Sequence, residues 1–158
     1  DVQSVPGRST TFTLFFPRIR AAPETLEEIP VRENLQGEET ILLVEDEDSL
    51  RGLAKKILRR KGYSVLEAAN GGEAYLISQQ TDTHIDLLLT DVIMPNMNGK
   101  QLFELLHEGR PDMRVLYMSG YTDDTIAHHG VLEQDTEFLQ KPFTFESLAR
   151  KVRAVLDH

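Results

Sequence analysis

The run Ile85-Asp86-Leu87-Leu88-Leu89-Thr90 constrains this chain more than any other segment. Its apolar residues stand at consecutive rather than alternate positions, so a strand built from it must be covered on both faces. Such a strand belongs near the middle of a parallel sheet with helices on either side. Shorter apolar runs at Thr40 to Val44, Met113 to Met118 and Thr136 to Leu139 have a similar character, and Tyr63 to Ala68 predicts one further strand. Helical spacing fills the intervals. Leu50, Leu53, Ala54, Ile57 and Leu58 form one inward stripe, and Leu148, Val152, Val155 and Leu156 form another. Asp48 or Ser49 is the expected N-cap of the first helix, and Gly62 its end. Asn70 is placed to cap a second helix from about Gly72 to Gln80, and a third covers about Lys100 to His107. Asp123 to Glu133 has a poor stripe broken by Gly130 and predicts a short fourth helix. This alternation is the signature of βα repeats, hence of an α/β fold over residues 40–158.

In open α/β sheets, ligands sit beyond the carboxyl ends of the strands. Those ends carry Glu45 and Asp46, Asp91, Ser119 and Lys141 in this chain. Singly, each has a bland reading as a turn cap, a solvated acidic turn or a surface lysine. Together they describe a site. Three clustered carboxylates repel one another unless a cation intervenes. Mg²⁺ takes oxygen ligands and keeps some water, so a few carboxylates and a phosphoryl oxygen suit it. Asp91 could then attack phosphorus and become an aspartyl phosphate. The metal and Lys141 would offset charge on the equatorial oxygens, and the Ser119 hydroxyl would hydrogen-bond one of them.

Composition narrows the alternatives. The chain has 158 residues and a net charge of −9, which opposes broad binding to nucleic-acid phosphates. It has no cysteine, so thiolate metal sites and disulfides are excluded. This suits a cytoplasmic setting. No apolar run approaches the length of a membrane span, so no membrane contact is expected of this segment. The chain does not begin with Met and reads as an excised piece. Residues 18–39 hold six Glu and three Arg, broken by Pro23 and Pro30, which is the composition of an acidic linker.

Residues 40–158 resemble the receiver domain of two-component response regulators. The matching segments are Leu43-Val44-Glu45-Asp46-Glu47, Leu89-Thr90-Asp91-Val92-Ile93-Met94-Pro95 with Gly99, Met118-Ser119-Gly120-Tyr121, and Leu139-Gln140-Lys141-Pro142-Phe143. The resemblance implies a flavodoxin-like doubly wound (βα)5 sandwich with its parallel five-stranded sheet in the order 2-1-3-4-5. It implies Asp91 as phosphoacceptor, with Lys141 and Ser119 at the phosphoryl group. Asp46 would bind Mg²⁺ directly, Glu45 through water, and Ile93 through its backbone carbonyl. Lys141-Pro142 matches a position where the family has a cis peptide. Ser119 and Phe138 would form the switch, although many receivers have Tyr where Phe138 stands. The bulk of Ile93 and Tyr121 beside the path of water is expected to slow hydrolysis. The phosphodonor would be a histidine kinase core or a histidine phosphotransfer protein.

Gly7 to Pro17 reads as a turn and a Thr/Phe-alternating strand, and resembles the end of the ATP-binding domain of sensor histidine kinases. Residues 1–17 would then be one remnant strand, residues 18–39 a linker and residues 40–158 a receiver. This is the order of the C-terminal part of a hybrid kinase whose parent could be membrane-attached. A lone apolar strand has unpaired edges, so residues 11–16 are expected to self-associate or to pair with the receiver's own sheet. The kinase's nucleotide boxes and phosphoacceptor histidine are missing, so the chain should not act as a protein kinase. Two other functions compete. A small-molecule phosphatase or phosphotransferase using Asp91 would need an acid two residues onward, where Ile93 stands. A silent partner-binding domain would have no use for Asp46, Asp91 and Lys141.

Overall fold

The structure, a computed structural model, describes residues 2–15, 35–120 and 137–158. Residues 1–32 and 33–158 form two compact units.

In the larger unit, β3 (Thr40–Val44), β4 (Ser64–Ala68), β5 (Leu87–Asp91), β6 (Arg114–Ser119) and β7 (Phe138–Gln140) make one parallel sheet in the order β4-β3-β5-β6-β7. This is the 2-1-3-4-5 order implied by the resemblance. The helices among the described residues are α1 (Asp48–Arg60), α2 (Gly71–Gln80), α3 (Gly99–His107) and α4 (Phe145–Asp157). The expected helix at Asp123 to Glu133 lies outside the described residues, as does Tyr121.

The consecutive apolar residues of β3 and β5 divide between two cores because strand side chains alternate in direction. Ile41, Leu43, Leu87 and Leu89 join Leu116, Met118 and Leu139 against Ala54, Ile57 and Leu58 of α1 and Leu148, Val152 and Val155 of α4. Leu42, Val44 and Leu88 face the opposite way, against Ala74 of α2 and Leu102 and Leu106 of α3. Each such leucine is worth about 1.5–3 kcal/mol on burial, which is why the sheet is covered twice.

Local signals set the helix ends. Asn70 accepts from Glu73 N, and Asn98 and Thr144 close capping boxes with Gln101 and Ser147. Gly62, at φ +99°, turns the chain out of α1. Two expectations need correction. The α1 N-cap is Glu47, without a side-chain cap bond, and Asp48 is the first helical residue. An aspartate there interacts with the helix dipole and also pairs with Arg51. Leu53 is not in the core: it is 48% exposed, on the flank of α1.

The smaller unit contains a hairpin rather than one strand. β1 (Val2–Val5) pairs antiparallel with β2 (Ser9–Phe12), in register Val2 to Phe12. Gly7, at φ +76°, supplies the turn. Ser4 and Thr10 hydroxyls hydrogen-bond across the pair at 2.9 Å. The expected strand over residues 11–16 therefore begins earlier, ends at Phe12 and finds its partner in the preceding residues of its own chain. Phe16 lies outside the described residues.

Candidate functional site

The strand register delivers the polar residues together. β3 lies beside β5, β5 beside β6 and β6 beside β7, all parallel, so the residues at and beyond Val44, Asp91, Ser119 and Gln140 share one edge of the sheet. Asp91 is the last residue of β5, one place later than the apolar run suggests. Its carbonyl accepts from the Thr90 hydroxyl at 3.0 Å. A Cβ at Gly99 would lie 2.4 Å from that carbonyl oxygen, so the turn into α3 can close against Asp91 only with glycine there.

Lys141 organises the charges. Its ammonium donates to Glu45 Oε2 at 2.7 Å and to Asp91 Oδ2 at 2.8 Å. Its backbone N–H donates to the Ser119 carbonyl at 2.6 Å, which ties β6 to the chain leaving β7. The Lys141-Pro142 peptide is cis. Asp91 Oδ1 accepts from the Ile93 N–H at 3.3 Å. Glu45 is fully buried, and its other oxygen accepts from the Glu47 N–H at 3.3 Å. Burial pushes the Glu45 carboxyl above the usual range, against the pull of Lys141; the nearby Asp91 charge pushes the same way. Burial works against the Lys141 ammonium, but its bonds to Asp91 and Glu45 outweigh this and hold its pKa above the ordinary lysine value.

Glu45, Asp46 and Asp91 each present an oxygen within 4.8 Å of the other two. An all-oxygen, carboxylate-rich set of this kind fits a hard divalent cation such as Mg²⁺. Asp46 is exposed and Asp91 only partly buried, which leaves an approach from solvent. The Ser119 side chain is buried at the same edge. Phe138 is half-buried on β7, in register with the buried Tyr117 of β6. The structure thus brings together Glu45, Asp46, Asp91 and Lys141, with Ile93 beside Asp91 and Ser119 at the same strand edge, while Phe138 opens β7 in register with Tyr117, away from the cluster.

Two contributors were not anticipated. Arg51 donates to the Glu45 carbonyl at 2.7 Å and pairs with Asp48, fastening the acidic loop to α1. No sequence signal separates this arginine from a solvated one. Leu53 joins Leu50, Pro142 and Phe143 around an open, largely apolar hollow of about 470 Å³ beside Lys141. Helical spacing alone cannot tell a leucine facing the core from one on the adjacent flank.

Comparison with known proteins agrees with this fold. A family described as "Response regulator receiver domain" matches residues 41–153. The chain is 38% identical over 159 aligned residues to the sensor kinase CckA of Brucella abortus, covering 96% of this chain and 17% of that kinase. It is 32% identical to the response regulator receiver protein CpdR of the same organism, covering 73% of this chain and 95% of that protein. A crystal structure of the receiver domain from the hybrid histidine kinase CckA superposes with a TM-score of 0.62 at 39% identity, over 74% of this chain and 98% of that one. The regulator TrrA of Thermotoga maritima, solved in complex with Mg²⁺ and BeF, gives 0.64 at 26% identity, over 74% of this chain and 98% of that one.

Proposed function

This chain belongs to the response regulator receiver domain family, and on that premise we propose that Asp91 accepts a phosphoryl group from a phosphohistidine in a two-component phosphorelay. The observation that carries the reading is the Lys141 ammonium held between Glu45 and Asp91, with Asp46 beside them. An Asp91 oxygen forms the new bond to phosphorus as the bond from phosphorus to the imidazole nitrogen breaks, and the departing imidazole takes up a proton. Asp91 is aligned for this by the Ile93 N–H and by the Gly99 turn behind its carbonyl. Lys141 then gives up its Asp91 oxygen and turns to a phosphoryl oxygen, offsetting charge that the transfer concentrates there. The Ser119 hydroxyl hydrogen-bonds a second phosphoryl oxygen. Asp46, Glu45, Asp91 and the Ile93 carbonyl are the residues that would hold Mg²⁺. When bound, the ion neutralises phosphoryl charge and screens the three carboxylates from one another. Phe138 reports the new state at the β6–β7 face by moving its ring, without a hydroxyl to anchor it.

The donor is a histidine kinase core or a histidine phosphotransfer protein. The hollow of Leu50, Leu53 and Phe143 is where we place its docking helices, because this apolar surface adjoins Lys141. We assign the chain to the C-terminal part of a hybrid kinase: residues 1–17 to the end of an ATP-binding domain, residues 18–39 to a linker and residues 40–158 to the receiver. The support is that similarity to CckA covers 96% of this chain, well beyond residues 41–153. A phosphorelay of this kind operates in the cytoplasm, and among the described residues no helix is long and apolar enough to cross a membrane. The test is transfer of radiolabelled phosphoryl from a purified phosphohistidine donor. Label should move to this chain and not to Asp91→Asn. Equal labelling of both would overturn the assignment of Asp91.

A further inference from the structure

The five residues before β3, which composition assigns to the linker, are fastened to the receiver at the sheet edge remote from Asp91. The Gly37 N–H donates to the Lys61 carbonyl at 3.0 Å, and the Glu39 carbonyl accepts from the Ser64 N–H at 3.0 Å. The Glu39 carboxylate pairs with Arg153 of α4 at 2.7 Å. Arg153 also reaches the Tyr63 hydroxyl at 3.4 Å and Asp157 at 2.9 Å. The seat is closely fitted. A Cβ at Gly37 would lie 2.3 Å from Tyr63 Cε1 and 2.8 Å from Arg153 Nη1, and one at Gly62 would lie 2.5 Å from the Gly37 carbonyl.

Arg153 stands on α4, which begins at Phe145, four residues after Lys141, with Thr144 as its N-cap. At about 1.5 Å per residue, α4 carries the chain roughly 13 Å from the Thr144 cap to Arg153. Leu148, Ala149 and Val152 are fully buried along it. A close-packed helix shifts as a unit rather than bending locally.

We propose that α4 couples the Asp91 site to the interdomain segment, so that rearrangement of Lys141 at one end alters the seating of Gly37 to Glu39 at the other. The proposal rests on the phosphoacceptor reading above. Phosphorylation turns the Asp91 carboxylate that Lys141 now pairs with into an acyl phosphate, so Lys141 turns to a phosphoryl oxygen and the connector Lys141-Pro142-Phe143-Thr144 has different restraints in the two states. That difference is the differential interaction a population shift requires. The consequence for the parent protein is that phosphorylation changes how firmly the receiver holds the segment leading to the domain before it. Coupling is reciprocal, so loosening the seat must change affinity at the Asp91 site by the same factor.

The experiment is amide hydrogen exchange on the 158-residue chain with Mg²⁺ alone and with Mg²⁺ plus beryllofluoride, a mimic of the phosphoryl group. Intact mass after acetyl phosphate treatment is recorded in parallel. We expect exchange at Gly37 and Ser64 to change by roughly fivefold or more, while Leu88 in the sheet centre is unaffected. Glu39→Gln, a mild change that keeps side-chain volume and the backbone bonds of the seat, should shift the beryllofluoride midpoint measurably, by up to the same factor. An adduct on Asp91 with unchanged exchange at Gly37 and Ser64, and an unchanged midpoint in Glu39→Gln, overturns the coupling and leaves the phosphoacceptor reading intact. Absence of both adduct and beryllofluoride binding overturns the two together.

Discussion

Lys141 Nζ donates to Asp91 Oδ2 at 2.8 Å across fifty residues of sequence. The same ammonium satisfies the buried Glu45. Removing it strands a buried carboxylate beside a second negative charge. Lys141→Met should therefore destabilise the metal-free protein by about 3 kcal/mol in urea unfolding, and Glu45→Gln in that background should recover part of the loss. No recovery would mean that Glu45 is not the group left unpaired.

The hollow lined by Leu50, Leu53 and Phe143 makes a kinetic prediction. Leu53 is half-exposed and absent from the core, so Leu53→Arg should leave the melting temperature nearly unchanged. It should slow phosphoryl transfer from a phosphohistidine protein by about tenfold or more, the effect of losing 1.4 kcal/mol of docking energy. Phosphorylation by acetyl phosphate, which needs no docking, should proceed at the wild-type rate. Equal slowing of both reactions would remove the hollow from the donor interface.

Gly99 carries a steric prediction. A side chain there meets the Asp91 carbonyl, so Gly99→Ala should displace the turn behind Asp91. The expected cost is about 1–3 kcal/mol of stability, with phosphorylation impaired while circular dichroism stays native-like. Wild-type phosphorylation in this variant would show that Asp91 tolerates the displacement.

Glu39 gives the pH prediction. Its bond to Arg153 holds the Glu39 carboxyl below the ordinary value of 4.5, against a smaller opposing effect of burial. The folded state thus binds this proton less tightly than the unfolded state. The stability it contributes is full above the ordinary value and disappears as pH falls through the lowered folded value. Wild type should exceed Glu39→Gln by up to about 1 kcal/mol near neutrality, and the gap should close on acidification below pH 4.5. A gap independent of pH would assign the difference to packing rather than charge.

The parts legible in the sequence share a physical cause. Ile41 to Val44 and Leu87 to Leu89 are apolar without alternation, which only a doubly covered strand tolerates. Strand order then follows from the receiver resemblance, and the positions of Glu45, Asp46, Asp91, Ser119 and Lys141 follow from the strand ends. Less legible were features that depend on rotation or on distant partners. Leu53 fits the α1 stripe by spacing yet sits at its margin. Arg51 acquires its role only when the Glu45 carbonyl turns toward it. Gly37 and Glu39 read as acidic linker because nothing local announces the Tyr63 and Arg153 side chains that receive them. At the N-terminus, Val2 to Val5 is too short and too polar to declare itself a strand until Gly7 folds it against Ser9 to Phe12.

The central claim is that Asp91 accepts a phosphoryl group with Mg²⁺ present, and intact-protein mass after incubation with acetyl phosphate tests it most directly. The predicted result is one added phosphoryl group in the wild type with Mg²⁺, none in Asp91→Asn, and none when EDTA removes the metal. An adduct of the same size in Asp91→Asn, or no adduct together with no beryllofluoride binding in the wild type, would contradict the account.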